Sequence, residues 1–253
     1  MDTKFFGQDL FKLKSVDSTN RFAIELIPKI DPIEGAVVWA IEQAKGKGRN
    51  NNLWESEAGK NLTFSVILYP EFLKADQQFY LSKAISLGVK DYICQYSDDV
   101  KIKWPNDIYV NDKKIAGILI EISVMGDSIN NCVAGIGLNV NQTIFKKNVP
   151  NPTSLKLLLK NEFDLDESLE KLCGFLEQRY LELANLNFNK IDNEYNANLF
   201  RLNELHSFEH KKNIFKAKIL RVDNYGNILL EKTDNTVQSF DLSELSFVIK
   251  EKV

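Results

Sequence analysis

Histidine is almost absent: the chain has two, His206 and His210, in 253 residues. Chemistry built on a histidine base, a Ser-His-Asp triad above all, has almost nothing to work with. Their i,i+4 spacing could seat a metal, but no further ligand cluster lies nearby in the sequence. A solvated helix or linker face is the expectation for both. Cysteine is scarce too. Cys94, Cys132 and Cys173 are far apart among apolar residues, with no metal-ligand or redox spacing, and read as buried free thiols in a reducing cytoplasm. No apolar run approaches the length of a membrane span, and Met1-Asp2-Thr3-Lys4 does not begin a signal peptide, so no membrane partner is expected and the location reads as cytoplasmic. Charge of neither sign dominates. A net charge of −3 and a pI near 5.6 argue against a dedicated nucleic-acid binder, yet leave room for a local cationic site.

What the chain does have is the composition of a folded globular protein, 44% hydrophobic and 26% charged, which excludes wholesale disorder. Its length suits one large domain with one small one. Ser18-Thr19-Asn20 offers N-cap side chains to a short helix with Phe22, Ala23, Leu26 and Ile27 on its apolar face, stopped by Pro28. Residues 36–41 and 62–69 read as buried strands. Leu81, Ala84, Ile85, Val89, Tyr92, Ile93 and Tyr96 keep helical spacing, with Gly88 on the same stripe. Short strands follow around Ile102 and at 108–110, with a hairpin turn at Asn111-Asp112-Lys113, a return strand at 115–123 and another at 133–140. Leu169, Leu172, Cys173, Leu176, Tyr180 and Leu183 mark a second long amphipathic helix. From about Ile214 short strands alternate with turns at 223–227 and 233–235, which suits a small β-barrel.

Three constellations could carry chemistry. Gln43-Ala44-Lys45-Gly46-Lys47-Gly48-Arg49-Asn50-Asn51-Asn52-Leu53-Trp54 follows a buried strand. Its glycines let backbone N–H groups approach an anion, and it holds three cations within five residues. It is neither a Walker loop nor a dinucleotide fingerprint, and a solvated flexible loop is the alternative. In Lys103-Trp104-Pro105-Asn106-Asp107 the proline fixes an extended, irregular exit from a strand, and Asn106 and Asp107 present oxygens suited to Mg²⁺. Lys114 opens the return strand, where it could hold a carboxylate and a phosphate oxygen together; turn chemistry and a surface charge are the alternatives. Gly135-Ile136-Gly137-Leu138-Asn139-Val140-Asn141 places glycines within a strand, the mark of a close approach by a ligand or of a β-bulge.

Taken in order, Ser18-Thr19-Asn20, loop 46–54, Trp54-Glu55-Ser56-Glu57-Ala58-Gly59-Lys60-Asn61-Leu62-Thr63, the Lys103 to Asp107 run, Lys114-Ile115-Ala116-Gly117 and the Gly135 to Asn139 run resemble the biotin–protein ligase family over most of residues 11–141. A weaker match lies at 222–230 and 240–245. The resemblance implies an α+β fold: a mixed β-sheet catalytic domain flanked by helices, class II synthetase-like and shared with lipoate ligases, spanning residues 1–209. A small C-terminal SH3-like β-barrel at 210–253 completes it.

The resemblance also implies ATP and biotin as substrates, Mg²⁺, and a biotin carboxyl carrier protein domain as acceptor. Biotin would meet Ser18, Thr19, Asn20, Gln43, Gly46, Lys47, Arg49, Lys114, Gly117, Gly135 and Gly137. Arg49, Asn52, Trp54, Lys103, Asn106, Lys114 and Asn139 would serve ATP, and Asp107 the metal. Lys114, Arg49 and Asp107 would be catalytic, with Arg49 guarding the adenylate. Two positions depart from the family's commonest pattern. Lys47 replaces an arginine and gives up bidentate geometry, and Asn51 replaces a glycine. The family includes monomers and homodimers. Its ligase–repressors carry an N-terminal DNA-binding domain, for which a first motif at Ser18 leaves no room, so DNA binding is not expected. A lipoate- or octanoate-transferring relative of the same fold and a non-catalytic adenylate binder are the competing readings.

Overall fold

The computed structural model describes residues 3–49, 52–146 and 151–248. Seven strands form one mixed sheet: β1 (Leu10–Val16), β2 (Val37–Gln43), β3 (Leu62–Leu68), β4 (Val100–Lys103), β5 (Asp107–Val110), β6 (Lys113–Met125) and β7 (Ser128–Leu138). Their spatial order is β1-β2-β3-β7-β6-β5-β4. Only β1 and β2 run parallel, joined by α1 (Thr19–Ile30); every other pair is antiparallel.

The period-two alternation of strands decides which face carries what. On β3 and β7, Phe64, Val66, Ala134, Ile136 and Leu138 join the main core beneath α2 (Phe79–Ile93) and α4 (Leu165–Ala184). Ile67 and Val133 point the other way and pack with Ala23 of α1, Ala36 and Val38. Two and four residues along that second face stand Ser65, Gly135 and Gly137, where the apolar pattern gives way to small and polar side chains. α2 and α4 approach closely because Gly88 lies against Leu176: a Cβ at position 88 would come within 3.0 Å of the Leu176 Cα.

A second, five-stranded antiparallel sheet comprises β8 (Leu205–His210), β9 (Asn213–Val222), β10 (Ile228–Lys232), β11 (Val237–Phe240) and β12 (Leu245–Phe247), in the order β11-β10-β9-β8-β12. Two further helices, α3 (Leu155–Leu159) and α5 (Phe188–Ala197), link the sheets.

Four expectations are corrected. Pro28 does not stop α1, which runs on to Ile30 and closes at Asp31 in a left-handed cap whose N–H bonds to Ile27 O. The carbonyl that Pro28 cannot serve belongs to Ile24, an exposed residue, so water can satisfy it. His206 and His210 lie in strand β8, not on a helix or linker. On a strand, i,i+4 places them about 13 Å apart; His206 engages Arg201 and Glu204, while His210 packs edge-on against Phe240. Cys94 is only half-buried, because it caps the end of α2 beside Lys90; Cys132 and Cys173 are buried as expected, and all three are free. The glycines of β7 mark no bulge: Gly135 and Gly137 keep regular register with both β3 and β6. Strand β1, β8 and helices α3 and α5 were not anticipated from the sequence.

Candidate active site

Strand register assembles the centre. Thr63 pairs with Gly137, Gly137 with Gly117 and Gly117 with Asp107, one row across four strands; the next row holds Ser65, Gly135 and Leu119. Paired residues share a face, so the glycines form a floor with Asp107 at one side. The Lys114 backbone is fixed by bonds to the segment beyond the undescribed residues 147–150: its N–H donates to Asn151 O and its carbonyl accepts from Thr153 N. Its side chain folds back over Gly117 and its Nζ meets Asp107 Oδ1 at 2.6 Å.

Residues 46–49 and 52–54 lie against each other, with Trp54 N–H bonded to Gly46 O, Gly48 N–H to Asn52 O and Asn52 N–H to Arg49 O. This lays the Trp54 ring on the glycine floor. A Cβ at Gly117 would reach within 2.9 Å of that ring, and one at Gly137 would overlap it, so both positions need glycine. The Lys114 ammonium stands 5.5 Å from the Trp54 ring centroid. Arg49 leans away from the floor and donates from Nη2 to Leu242 O, in the turn between β11 and β12, at 3.0 Å. Burial lowers its pKa from the ordinary value, with Asp107 and then Asp241 opposing the shift. Asn51 lies outside the described residues.

Two adjoining cavities share Gln43, Asn52, Leu53, Trp54, Asp107 and Lys114. The first also meets Ser18, Thr19, Asn20, Lys47, Arg49, Asn106 and the glycines 117, 135 and 137. The second takes in Gly46, Asn139, Lys45, Phe145 and Lys146. Ser18 is the N-cap residue of α1, but its side chain makes no capping bond. Thr19 and Asn20 are buried, and the Thr19 N–H donates to Gln43 Oε1 at 2.8 Å. Asn106 Nδ2 donates to Ile118 O. Asn139 Nδ2 donates to Thr153 O, leaving its buried Oδ1 with no partner among the described residues.

One predicted site residue does not join the others: Lys103 lines neither cavity. Its ammonium lies between the rings of Tyr109 (5.5 Å) and Phe247 (4.6 Å), where burial lowers its pKa against the pull of Asp107. Residues the sequence reading missed are Ser65, Leu119, Glu121, Phe145 and Lys146; Lys45 was counted among the loop's cations but given no site role. For two of them a signal existed. Thr63 and Ser65 put hydroxyls at alternate positions of an otherwise apolar strand, and Glu121 is an acid inside the apolar run of β6. Among the described residues no three His, Cys, Asp or Glu side chains gather as a metal site.

Residues 13–139 match the model of the biotin/lipoate A/B protein ligase family. The chain belongs to this family. It is 29% identical over 242 residues to the bifunctional ligase/repressor BirA of Bacillus subtilis, covering 92% of this chain and 73% of the relative. The biotin–[acetyl-CoA-carboxylase] ligase of Paracoccus denitrificans is 30% identical over 198 residues, covering 76% of this chain and 81% of that one. The fold is that of the biotin protein ligase from Aquifex aeolicus solved with biotin and ATP, with a TM-score of 0.78 at 24% identity over 95% of this chain and 99% of the other. The chain is thus a mixed-sheet α+β protein with a small antiparallel C-terminal sheet. No described helix is long and apolar enough to cross a membrane.

Proposed function

We propose that the chain is a biotin–protein ligase, which joins biotin to ATP as biotinyl-5′-AMP with release of pyrophosphate and then passes biotin to a lysine of a biotin carboxyl carrier protein domain. The observation that carries this reading is the Lys114–Asp107 pair at the junction of two cavities, one with a glycine floor and a polar end, the other lined by lysines and Asn139. Biotin takes the first cavity and ATP the second, and their reacting groups meet at Lys114.

A carboxylate attacking the α-phosphorus is already ionised at neutral pH, so the first step needs no histidine base. The protein's work is positioning and charge stabilisation. Lys114 leaves Asp107 to hold the biotin carboxylate and an α-phosphate oxygen. A cation 4 Å from a developing charge, at an effective dielectric near 20, contributes up to about 4 kcal/mol, roughly three decades in rate. Arg49, held above the first cavity by Leu242 O, guards the adenylate once it has formed, and Lys45 and Lys146 face the polyphosphate. The unpartnered Asn139 Oδ1 is an acceptor for the adenine amino group. In the second step the neutral amine of the acceptor lysine attacks the adenylate carbonyl. A C–N bond forms, the C–O bond to AMP breaks, and Asp107, freed from Lys114, takes the amine proton.

Asp107 is the one carboxylate shared by the two cavities, and Asn106 adds a neutral oxygen. Such a set fits Mg²⁺ only where phosphates and water supply most of its ligands, as this ion prefers. When bound it would neutralise phosphate charge. Three free thiols suit a reducing compartment such as the cytoplasm.

Biotin is favoured over an octanoyl or lipoyl chain by the polar end at Thr19, Asn20 and Gln43, where the Gln43 Nε2 donors match a urea oxygen and an apolar chain offers them no acceptor. Pyrophosphate release from ATP, measured with each acid in turn, tests this. Release with biotin and not with lipoate or octanoate is the expected result; the reverse would move the chain to the other branch of the family.

A further inference from the structure

At the polar end of the first cavity the hydrogen-bond directions can be worked out one by one. Asn20 Nδ2 donates to Leu119 O at 3.1 Å and to Glu121 Oε2 at 2.7 Å. Both partners only accept, so the amide cannot be reversed without setting oxygen against oxygen. Asn20 Oδ1 therefore needs a donor, and Ser65 Oγ lies 2.6 Å away. Ser65 has one hydroxyl hydrogen and the shorter contact takes it, so the 2.8 Å contact with Thr19 Oγ1 is served by the Thr19 hydrogen, which favours Ser65 over Gln43 Oε1 at 3.2 Å. Gln43 Oε1, in turn, accepts the Thr19 N–H, which leaves the Gln43 Nε2 hydrogens for a ligand.

The result is a one-way chain, Thr19 to Ser65 to Asn20 to Glu121. Its open valences are an acceptor lone pair on Asn20 Oδ1 and donors on Gln43 Nε2. Gly135 makes room for it, since a Cβ there would overlap the Asn20 amide. An acceptor beside a donor is the complement of an N–H adjoining a C=O.

We propose that Ser65 and Glu121 are positioning residues that fix the polarity of this end of the pocket, so that it takes the cyclic urea of biotin. Neither needs to touch the ligand: Ser65 is fully buried, and Glu121 acts through the Asn20 amide. This inference rests on the biotin reading above. It extends that reading to two residues outside the family's motif positions.

The test is calorimetric titration of the full chain with biotin and, separately, with ATP, for the unaltered protein, Ser65→Ala, Glu121→Leu and Glu121→Gln, with thermal melts to show that each is folded. Ser65→Ala and Glu121→Leu should weaken biotin binding tenfold or more and leave ATP within twofold. Glu121→Gln keeps an oxygen that accepts from Asn20 Nδ2, so it should bind biotin within threefold of the unaltered chain. Equal loss of biotin and ATP affinity, or a Gln variant no better than the Leu variant, would show a merely structural role and overturn the proposal. So would unchanged biotin affinity in Ser65→Ala. Should Ser65→Ala fail to fold, the Gln and Leu pair decides alone. Failure of the unaltered chain to bind biotin is a different result: it overturns the ligase reading and this proposal with it.

Discussion

Lys114 is paired with Asp107, with only 22% and 17% of the two side chains exposed. Neither charge is well solvated there, so Lys114 can leave Asp107 only when another anion, a substrate carboxylate or phosphate, takes its place. Lys114→Ala should therefore lower biotin-dependent pyrophosphate release by about three decades, and near-normal release would remove it from the chemistry. Arg49 is placed differently, on the Leu242 carbonyl above the cavity and not on its floor. Arg49→Gly should leave adenylate formation running but let biotinyl-adenylate escape. The readout is biotin on bystander proteins; if they stay unlabelled while the acceptor is biotinylated, Arg49 is not the gate. The thiols give a third expectation. Burial pushes Cys173 up to about 12 and raises Cys132 as well. The thiolate is the reactive form, so at pH 8 a disulfide reagent should modify Cys94 at most, and all three only after denaturation. At this scale the sequence was legible where the site is contiguous. Thr19, Asn20, Gln43, Arg49 and Lys114 announce themselves in short runs, whereas Ser65 and Glu121 act across strands whose register no local pattern reveals.

The β9–β10 turn shows how one element supports a site it does not enter. Asp223 Oδ1 accepts from Tyr225 N–H and Asn227 N–H, which shapes the turn and leaves Gly226 at φ 93. The Gly226 carbonyl then accepts from Trp104 Nε1 at 2.8 Å, and the Phe79 ring lies where a Cβ would stand. Trp104 belongs to the run that ends in Asp107, so this turn seats the start of β5 from behind. Gly226→Ala adds left-handed strain and displaces Phe79, a cost of about 1–3 kcal/mol. A melting temperature lowered by roughly 2–12 °C, at 2–4 °C per kcal/mol for a chain of this size, is the expected outcome. An unchanged Tm would mean the turn is not seated as described. Among the elements, α2 was readable because six of the seven periodic apolar residues lie in it, with Gly88 on the same stripe; the seventh, Tyr96, stands past its end. Strand β1, Leu-Phe-Lys-Leu-Lys-Ser-Val, escaped notice for a physical reason. It is a half-exposed edge, its partner lies beyond α1, and its lysines blur the apolar run.

At the scale of the whole molecule the two sheets are joined more tightly than a change of composition near His206 suggests. One continuous apolar cluster contains Phe64 and Leu138 of the large sheet together with Ile219, Val222 and Leu230 of the small one. Polar ties cross the same boundary. Asn196 of α5 exchanges two bonds with Val222, and Lys83, fully buried on α2, pairs with Asp192 and donates to Asp223 O at 2.9 Å. Desolvation lowers the Lys83 pKa and Asp192 raises it back, so the charge survives only in company. A shared core, with a buried lysine bonded to the β9–β10 turn across the join, should unfold in one step. Scanning calorimetry should give a single transition whose calorimetric and van't Hoff enthalpies agree. Lys83→Met should then strand Asp192 beside an apolar stem and cost about 3 kcal/mol, moving that single transition down by roughly 6–12 °C. Asp192 keeps the Tyr80 hydroxyl as a partner, so the double variant Lys83→Met, Asp192→Asn should recover part of the loss. Two separated transitions in the unaltered chain would mean instead that the small sheet folds alone. Its hold on Trp104 and Arg49 would then be a docking contact and not part of one cooperative unit.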